Sequence, residues 1–224
     1  MYDQLQLETS STVDRAAEEL RRALFAGELS PGTPLREVPL SEAMGVARST
    51  IREALGVLVA EGMAVRVTHK GVAVKRLDAD DVRDVIRARV ALEGAGMRSW
   101  PTAEPAARRA LHAALDDYVA VASQTADPAV LTEAHLQVHR GLVGLTGSTR
   151  LLAAFDSISA EIRLALAHLD RIRANTAEQI VDHRRLVELL ERHDVGAALD
   201  ELDRHLAAAE CSLLDATGNQ DVAS

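Results

Sequence analysis

Cysteine and aromatic residues are scarce in this sequence, and each shortage excludes a class of protein or site. The single cysteine, Cys211, excludes an internal disulfide and a cysteine-rich zinc site, so any metal would need histidine and carboxylate ligands. Five aromatic residues are too few for the stacking platforms that bind single-stranded nucleic acid or RNA loops.

Long apolar runs are also missing. Charged residues interrupt every apolar stretch well before the roughly 18 residues that a membrane helix needs. The first ten residues lack the basic and apolar regions of a signal peptide. We therefore expect a cytoplasmic protein.

Hydrophobic and charged residues are present in the proportions of a soluble globular protein, 47% and 26% of 224 residues, enough for one large domain or two ordinary ones. The net charge of −9 is unevenly distributed. Residues 12–76 carry ten lysines and arginines against eight acids, a net charge of +2, whereas residues 77–224 carry −9. This asymmetry favours a basic module joined to an acidic one, although charge alone fits chance clustering equally well.

The basic module, residues 12–76, has the element order of a winged helix-turn-helix. Ser11 and Asp14 fit a capping box that opens a first helix, which ends near Ala26. After it we expect an extended segment at 35–38, a short helix at 40–44, a longer helix from about 48 to 62, and a β-hairpin formed by 63–67 and 72–75.

The longer helix is the candidate for reading DNA. Its apolar face packs on the first two helices, which leaves its N-terminal turns free to enter a major groove. The outward positions there are Arg48, Ser49, Thr50 and Arg52, and the hairpin tip carries His69, Lys70 and Gly71, which could follow the backbone into the minor groove. Arginine bonds guanine O6 and N7 bidentately, and hydroxyls reach phosphates or base edges. The alternative is that both arginines form an ordinary solvated helix face.

The acidic module, residues 77–217, predicts an all-helical bundle of about six helices. The predicted helices cover residues 79–98, 103–123, 128–145, 149–171, 177–193 and 195–216. Residues 1–11 and 218–224 are predicted to be a disordered arm and tail.

Four histidines in the bundle are candidate metal ligands. His135 and His139 are four residues apart on one helix, with Cβ atoms about 5 to 6 Å apart, which suits two ligands of one ion. His183 and His205 lie on two later helices, so four imidazoles that converge in the bundle could bind zinc, nickel or a similar ion. Spacing alone does not decide this, because such a pair is more often on the surface.

Two stretches resemble known families. The runs 31–38, 40–42, 45–55 and 61–62 resemble the N-terminal domain of GntR-family transcription regulators. The run 89–93 together with 138–139, His183 and 205–206 resembles the FadR-type effector domain known as FCD. Together the two resemblances cover about residues 12–214.

The resemblance implies a homodimer whose bundles bind a small carboxylate-bearing metabolite and thereby alter operator affinity. It also implies a divalent metal, zinc above nickel or manganese, held by one aspartate and three histidines that match His139, His183 and His205. His135 occupies the aspartate position. It either replaces aspartate as a ligand or points away and leaves a weakened site. Arg89 matches an arginine that faces the effector pocket, where it would pair with a carboxylate, unless it serves as a salt-bridge partner between helices.

Two departures from the family concern the DNA-binding module. Ala47 stands where the family usually has serine, so the recognition helix lacks a side-chain N-cap, a loss of about 0.5 to 2 kcal/mol. Val38 and Pro39 stand where some relatives have charged residues, which leaves Arg36 as the nearest candidate contact with DNA.

We therefore expect a ligand-responsive, sequence-specific DNA-binding regulator, a repressor and not an enzyme. One alternative is a metal-dependent hydrolase that uses the histidine cluster. It would need a general base near a bound water. Glu133 and Asp182 are close to the histidines in sequence, but nothing fixes either in that role. A hydrolase also does not explain the winged helix. A metal-free dimeric regulator is the other alternative.

Overall fold

The computed structural model describes residues 11–166 and 176–220. The chain divides into two compact units, the first ending at Lys75 and the second beginning at Arg76. The described residues are mainly helical, and a small three-stranded sheet lies in the first unit. The predicted fold class, a winged helix-turn-helix followed by a helical bundle, is confirmed.

Residues 11–75 of the first unit contain three helices and three short strands. They are α1 (Thr12–Phe25), β1 (Pro34–Leu35), α2 (Glu37–Met44), α3 (Arg48–Ala60), β2 (Ala64–Val67) and β3 (Gly71–Val74). Ser11 and Asp14 exchange side-chain and backbone hydrogen bonds, so the predicted capping box opens α1. The strands form an antiparallel sheet in the order β1-β3-β2, in which β2 and β3 are the predicted hairpin.

Helix α2 begins three residues earlier than the sequence predicts. The sequence predicts an extended chain at residues 37 and 38, but both are helical, and the strand in this segment covers Pro34–Leu35. The sequence pattern places the start of α2 too late because Pro39 would interrupt the interior of a helix. Pro39 lies in the first turn of α2, where a backbone N–H has no acceptor within the helix, so the missing N–H of proline costs nothing. The early start places Glu37 at the N-terminus of α2.

Helix α3 is held by its apolar face and leaves its first turn in solvent. Ile51, Leu55 and Leu58 are almost fully buried, and α3 packs on α1 and α2. Gly45 ends α2 with a φ of +64°, which lets the chain reverse direction before α3. Ala47 precedes α3 and makes no side-chain cap, as the sequence predicts.

The second unit contains six described helices. They are α4 (Ala79–Arg98), α5 (Pro105–Gln124), α6 (Pro128–Gly144), α7 (Thr149–Leu166), α8 (Thr176–Glu191) and α9 (Val195–Gln220), with a 3₁₀ turn at Trp100–Thr102. The last residues predicted for α7, 167–171, lie outside the described residues. Helix α9 continues to Gln220, three residues into the predicted tail, and residues 1–10 and 221–224 also lie outside them.

A close contact between two helices positions the polar centre of the bundle. A Cβ added to Gly96 on α4 would lie 1.9 Å from the carbonyl oxygen of Leu142 on α6, so the two backbones touch at this glycine. This approach brings the α4 side chain of Glu93 to the α6 side chain of His139, with which it makes a hydrogen bond.

Within residues 11–166 and 176–220, no helix combines the length and apolar character needed to cross a bilayer.

Candidate nucleic-acid interface and candidate metal centre

A groove of about 780 Å³ in the first unit collects most of the basic residues predicted to contact DNA. Its lining includes the cations Arg36, Arg48, Arg52, Arg66 and Lys70, which come from the start of α2, from α3, from β2 and from the hairpin loop. Such a concentration of positive charge beside an exposed helix N-terminus suits the phosphates and groove edges of double-stranded DNA.

The predicted DNA-contacting residues divide into two groups. Arg36, Arg48, Arg52, Lys70 and Gly71 line the groove. Ser49 is exposed and Thr50 half-buried on the first turn of α3, and His69 is exposed in the hairpin loop with a φ of +62°. Arg66 was not predicted; it is exposed on β2, next to the exposed Val65, so the burial of this strand does not alternate.

Glu37 is the acidic residue in the lining of this groove. One of its carboxylate oxygens lies 2.7 Å from Arg52 Nε, and the other lies 2.7 Å from Arg52 Nη2 and 3.6 Å from Arg48 Nη2. The guanidinium of Arg52 lowers the pKa of the Glu37 carboxyl below its usual value, so this carboxylate is ionised at neutral pH. Glu37 could not be identified from local sequence patterns, because the contact joins residues fifteen positions apart.

The second unit brings all four predicted histidines together. Each offers a ring nitrogen that lies within 4.8 Å of the other three. His139 Nε2 lies 3.0 Å from His135 Nε2 and 2.9 Å from His183 Nε2, and the nitrogens of His135 and His183 are 3.2 Å apart. Adjacent nitrogens around one ion with bonds of about 2.1 Å lie roughly 3.0 to 3.4 Å apart. The three imidazoles are therefore spaced like ligands of a single metal.

Hydrogen bonds at the outer ring nitrogens fix the tautomers of two histidines. His183 donates from Nδ1 to the backbone carbonyl of Gln179, and His139 donates from Nδ1 to Glu93 Oε2 at 2.7 Å. In each neutral ring the inner nitrogen, Nε2, must then carry a lone pair. Two lone pairs that face each other at 2.9 Å repel unless a cation lies beside them, so this geometry fits a bound metal.

Burial keeps the four histidines neutral. Desolvation lowers the pKa of every one of them, to about 3 for His205. A proton is therefore a poor candidate for the cation that the cluster needs, and neutral imidazole is the form that binds metal. Within the described part of the chain, His205 Nε2 is buried and has no hydrogen-bond partner.

His135 points into the cluster and not away from it. Besides its contacts with His139 and His183, its ring lies 5.4 Å from the ring of Tyr118, whose hydroxyl donates to Gln179 Oε1 at 3.0 Å. The His135 imidazole therefore lies on the same face of α6 as that of His139, within the cluster of four histidines.

Arg89 lies beside the cluster in a buried ion pair with Glu93. Arg89 Nε lies 2.7 Å from Glu93 Oε1, and the two side chains are 2% and 0% exposed. Burial raises the pKa of Glu93, and the guanidinium of Arg89 opposes this shift. Both residues lie on α4, so this ion pair is within one helix and differs from the salt bridge between helices that was the alternative role for Arg89. Arg89 Nη2, however, is buried with no hydrogen-bond partner among the described residues.

The two acids considered for a hydrolase are already engaged. Glu133 Oε2 lies 2.6 Å from Arg163 Nη2, and its other oxygen accepts a hydrogen bond from Gln137. Asp182 lies 3.5 Å from Arg204 and 3.8 Å from His205 Nδ1. Both carboxylates are paired with arginines, and these contacts do not assign either one as a general base, so the hydrolase alternative is not supported.

A winged helix with a basic groove, joined to a helical bundle with a buried polar centre, defines a DNA-binding regulator that responds to a small ligand. The sequence profile "Bacterial regulatory proteins, gntR family" matches residues 12–74, and the profile "FCD domain" matches residues 84–208. The chain belongs to the GntR family of bacterial transcription regulators, in the branch that carries an FCD effector domain.

Individual relatives agree with this assignment. A protein of Paenarthrobacter nicotinovorans named "Probable D-xylose utilization operon transcriptional repressor" is 28% identical over 199 residues, which cover 88% of this chain and 86% of the relative. A crystal structure of a GntR regulator from Rhodococcus sp. RHA1 superposes with a TM-score of 0.78 at 25% identity over 92% of this chain and 99% of that one. E. coli McbR/YncC shares the fold, with a TM-score of 0.74 at 18% identity, covering 92% of this chain and 99% of that one.

Proposed function

We propose that this regulator is a homodimeric repressor whose bundle holds a divalent metal through His135, His139, His183 and His205. A small carboxylate would bind beside these ligands and release the operator. The observation that carries the proposal is the cluster of inner imidazole nitrogens 2.9 to 3.2 Å apart, with two tautomers fixed so that lone pairs face each other.

Zinc is the metal that this donor set favours. Four neutral imidazoles suit zinc or nickel, whereas manganese prefers carboxylate and water oxygens. Replacing the family's aspartate by His135 also leaves a divalent ion with its full charge of +2. A site of this charge attracts an anionic effector more strongly than one that contains a carboxylate ligand.

Arg89 supports the choice of a carboxylate effector. Its Nε is paired with Glu93, but the buried Nη2 has no hydrogen-bond partner in the part of the chain that the structure describes. A buried charged donor without a partner is costly, and a carboxylate would satisfy it. Arg89 also lies close to the histidines, because the Glu93 carboxylate that it contacts through one oxygen accepts a hydrogen bond from His139 through the other.

We propose dimerisation because a single DNA-binding module is expected to bind DNA weakly. Residues 12–76 carry a net charge of only +2, so one copy gains little from phosphate contacts. Two copies that bind the two halves of a palindromic operator would supply the missing affinity and would act in the cytoplasm, where the DNA lies.

Operator binding tests the whole proposal. A DNA site is first selected from a randomised duplex pool by the wild-type chain loaded with zinc. Its affinity is then measured against a panel of small mono-, di- and hydroxycarboxylates. At least one carboxylate should weaken binding to the wild type, and His183→Ala should abolish the response.

His112→Ala is the matched control, because His112 is a half-exposed histidine outside the cluster and should leave the response intact. A folded His183→Ala chain that responds like the wild type would contradict the proposed metal and effector site. Failure of the wild type to enrich any sequence would contradict the proposed binding to a specific operator.

A further inference from the structure

Glu37 lies where an acidic residue is least expected, inside a groove that would face DNA phosphates. A carboxylate there repels phosphate, so it weakens binding to every sequence equally. An effect that offsets this loss of DNA affinity must come from the contacts of Glu37 with its neighbours, Arg48 and Arg52.

The pairing of Glu37 with Arg52 uses one edge of the guanidinium and leaves another edge open. The carboxylate takes the side edge, formed by Nε and Nη2, with both distances at 2.7 Å. A guanidinium has five N–H groups in a fixed plane. The end edge, formed by Nη1 and the second hydrogen of Nη2, therefore stays available. That edge can donate two parallel hydrogen bonds to guanine O6 and N7.

The exposed fractions of the side chains indicate that Glu37 anchors the two arginines. The side chain of Glu37 is 27% exposed, whereas those of Arg52 and Arg48 are 60% and 61% exposed. Glu37 is fixed at the first residue of α2, where the helix dipole favours negative charge. A long, exposed arginine loses most of its rotamer freedom when it docks on such an anchored acid.

We propose that Glu37 is a specificity-determining residue that positions Arg52, and secondarily Arg48, for base recognition. It does so at the expense of general DNA affinity. Holding Arg52 in one plane before DNA arrives lowers the entropic cost of the bidentate contact, and it withholds the guanidinium from phosphates at other sequences. This inference rests on the proposed contact of Arg52 with a base edge.

The test separates sequence preference from overall affinity. Full-length wild type and Glu37→Gln are titrated with the selected duplex and with a shuffled duplex of the same composition, at one salt concentration. Loss of one negative charge should raise the affinity for the shuffled duplex about fivefold. Loss of positioning should lower the ratio of selected to shuffled affinity about tenfold. A purely structural role would not move these two quantities in opposite directions.

Two variants serve as controls. Glu42 is an exposed acid on the same helix, so Glu42→Gln makes the same change in charge and should raise shuffled-duplex affinity with the ratio unchanged. Glu37→Asp keeps the charge but is too short for the two-point contact. It should leave shuffled-duplex affinity unchanged and still lower the ratio. Urea unfolding checks that each variant is folded.

A double variant shows whether Glu37 acts through Arg52. In an Arg52→Ala background, Glu37→Gln should produce no further loss of the ratio, because the positioned group is gone. If Arg52→Ala lowers the ratio but Glu37→Gln leaves it unchanged or raises it, Glu37 only screens the arginine and the inference is overturned. If Arg52→Ala itself leaves the ratio unchanged, the proposed base contact fails and the positioning role of Glu37 fails with it.

Discussion

The two units contain the same pair of residue types in opposite environments. In the winged helix, Glu37 meets Arg52 at the surface, where the arginine is 60% exposed. In the bundle, Glu93 meets Arg89 where the two side chains are 0% and 2% exposed. An exposed pair contributes about 0 to 1 kcal/mol and its arginine can still bind a new partner, whereas a buried pair cannot separate without leaving an uncompensated charge. The first pair is suited to recognition and the second to fixed geometry.

Removing the acid from the buried pair should have the largest effect on the free energy of unfolding. Glu93→Gln leaves the Arg89 charge buried without a counter-ion, and it weakens the acceptor that orients His139. We expect a loss of about 3 to 5 kcal/mol in the free energy of unfolding. Urea denaturation measures it. Asp80→Asn breaks an exposed ion pair on the same helix and should cost under about 1 kcal/mol. Equal losses in the two variants would remove the distinction between buried and exposed pairs.

The close contact of α4 with α6 should be the next most sensitive feature. Gly96→Ala puts a methyl group against the Leu142 carbonyl, so the helices must separate and Glu93 must draw away from His139. The expected destabilisation is about 3 kcal/mol, with weaker zinc affinity. A methyl at Gly144 on α6 would contact nothing within 4 Å, so Gly144→Ala should be close to neutral. Unfolding and zinc titration of both variants check this, and a neutral Gly96→Ala would show that the helices are free to move apart.

Much of the exposed interface can be predicted from sequence, because helical periodicity fixes which side of α3 faces outward. The capping box at Ser11 and both ends of α4 follow from local signals in the same way. The start of α2 was missed, since Pro39 breaks the local pattern but is harmless in a first turn. The histidine positions came from the family resemblance together with their spacing.

The partners inside the bundle could not be predicted. Glu93 contacts His139 across 46 residues of sequence, and the approach of Gly96 to Leu142 depends on how α4 crosses α6. Neither contact produces a repeating pattern of residue types in the sequence. The pairing of Glu37 with Arg52 was missed for the same reason, as it joins the starts of two helices through tertiary structure.

On the DNA side, the arginines and the hairpin lysine should behave differently. Arg52→Ala or Arg48→Ala should cost about 1 to 3 kcal/mol of operator binding and relax sequence preference, because arginine reads base edges. Lys70→Ala should weaken all sequences similarly and reduce the salt slope by about 1, because lysine at the exposed loop meets phosphates. Titrations at several salt concentrations on selected and shuffled duplexes decide this. Intact preference in both arginine variants would contradict the assignment of α3 as the recognition helix.

The histidine cluster should make the stability of metal-free protein depend on pH. Burial lowers the pKa of His205 to about 3, whereas an unfolded histidine titrates near about 6.5. Below that pH the unfolded chain binds more protons, so stability present at pH 7 is lost as pH falls. His205 alone should contribute about 1.2 kcal/mol per pH unit between pH 6 and 5. The slope of unfolding free energy against pH, measured in chelator, should be shallower by this amount in His205→Gln. Identical slopes would contradict the lowered pKa of His205.

The metal content of the purified chain tests the central claim most directly. After reconstitution with zinc and removal of excess ion, elemental analysis should find about one zinc per wild-type chain and about one in His112→Ala, because four converging imidazoles complete a single site. His183→Ala should lose most of it, since His183 contributes an inner nitrogen 2.9 Å from that of His139. A wild-type chain that holds no stoichiometric metal after reconstitution, or a His183→Ala chain that holds as much as the wild type, would contradict the account.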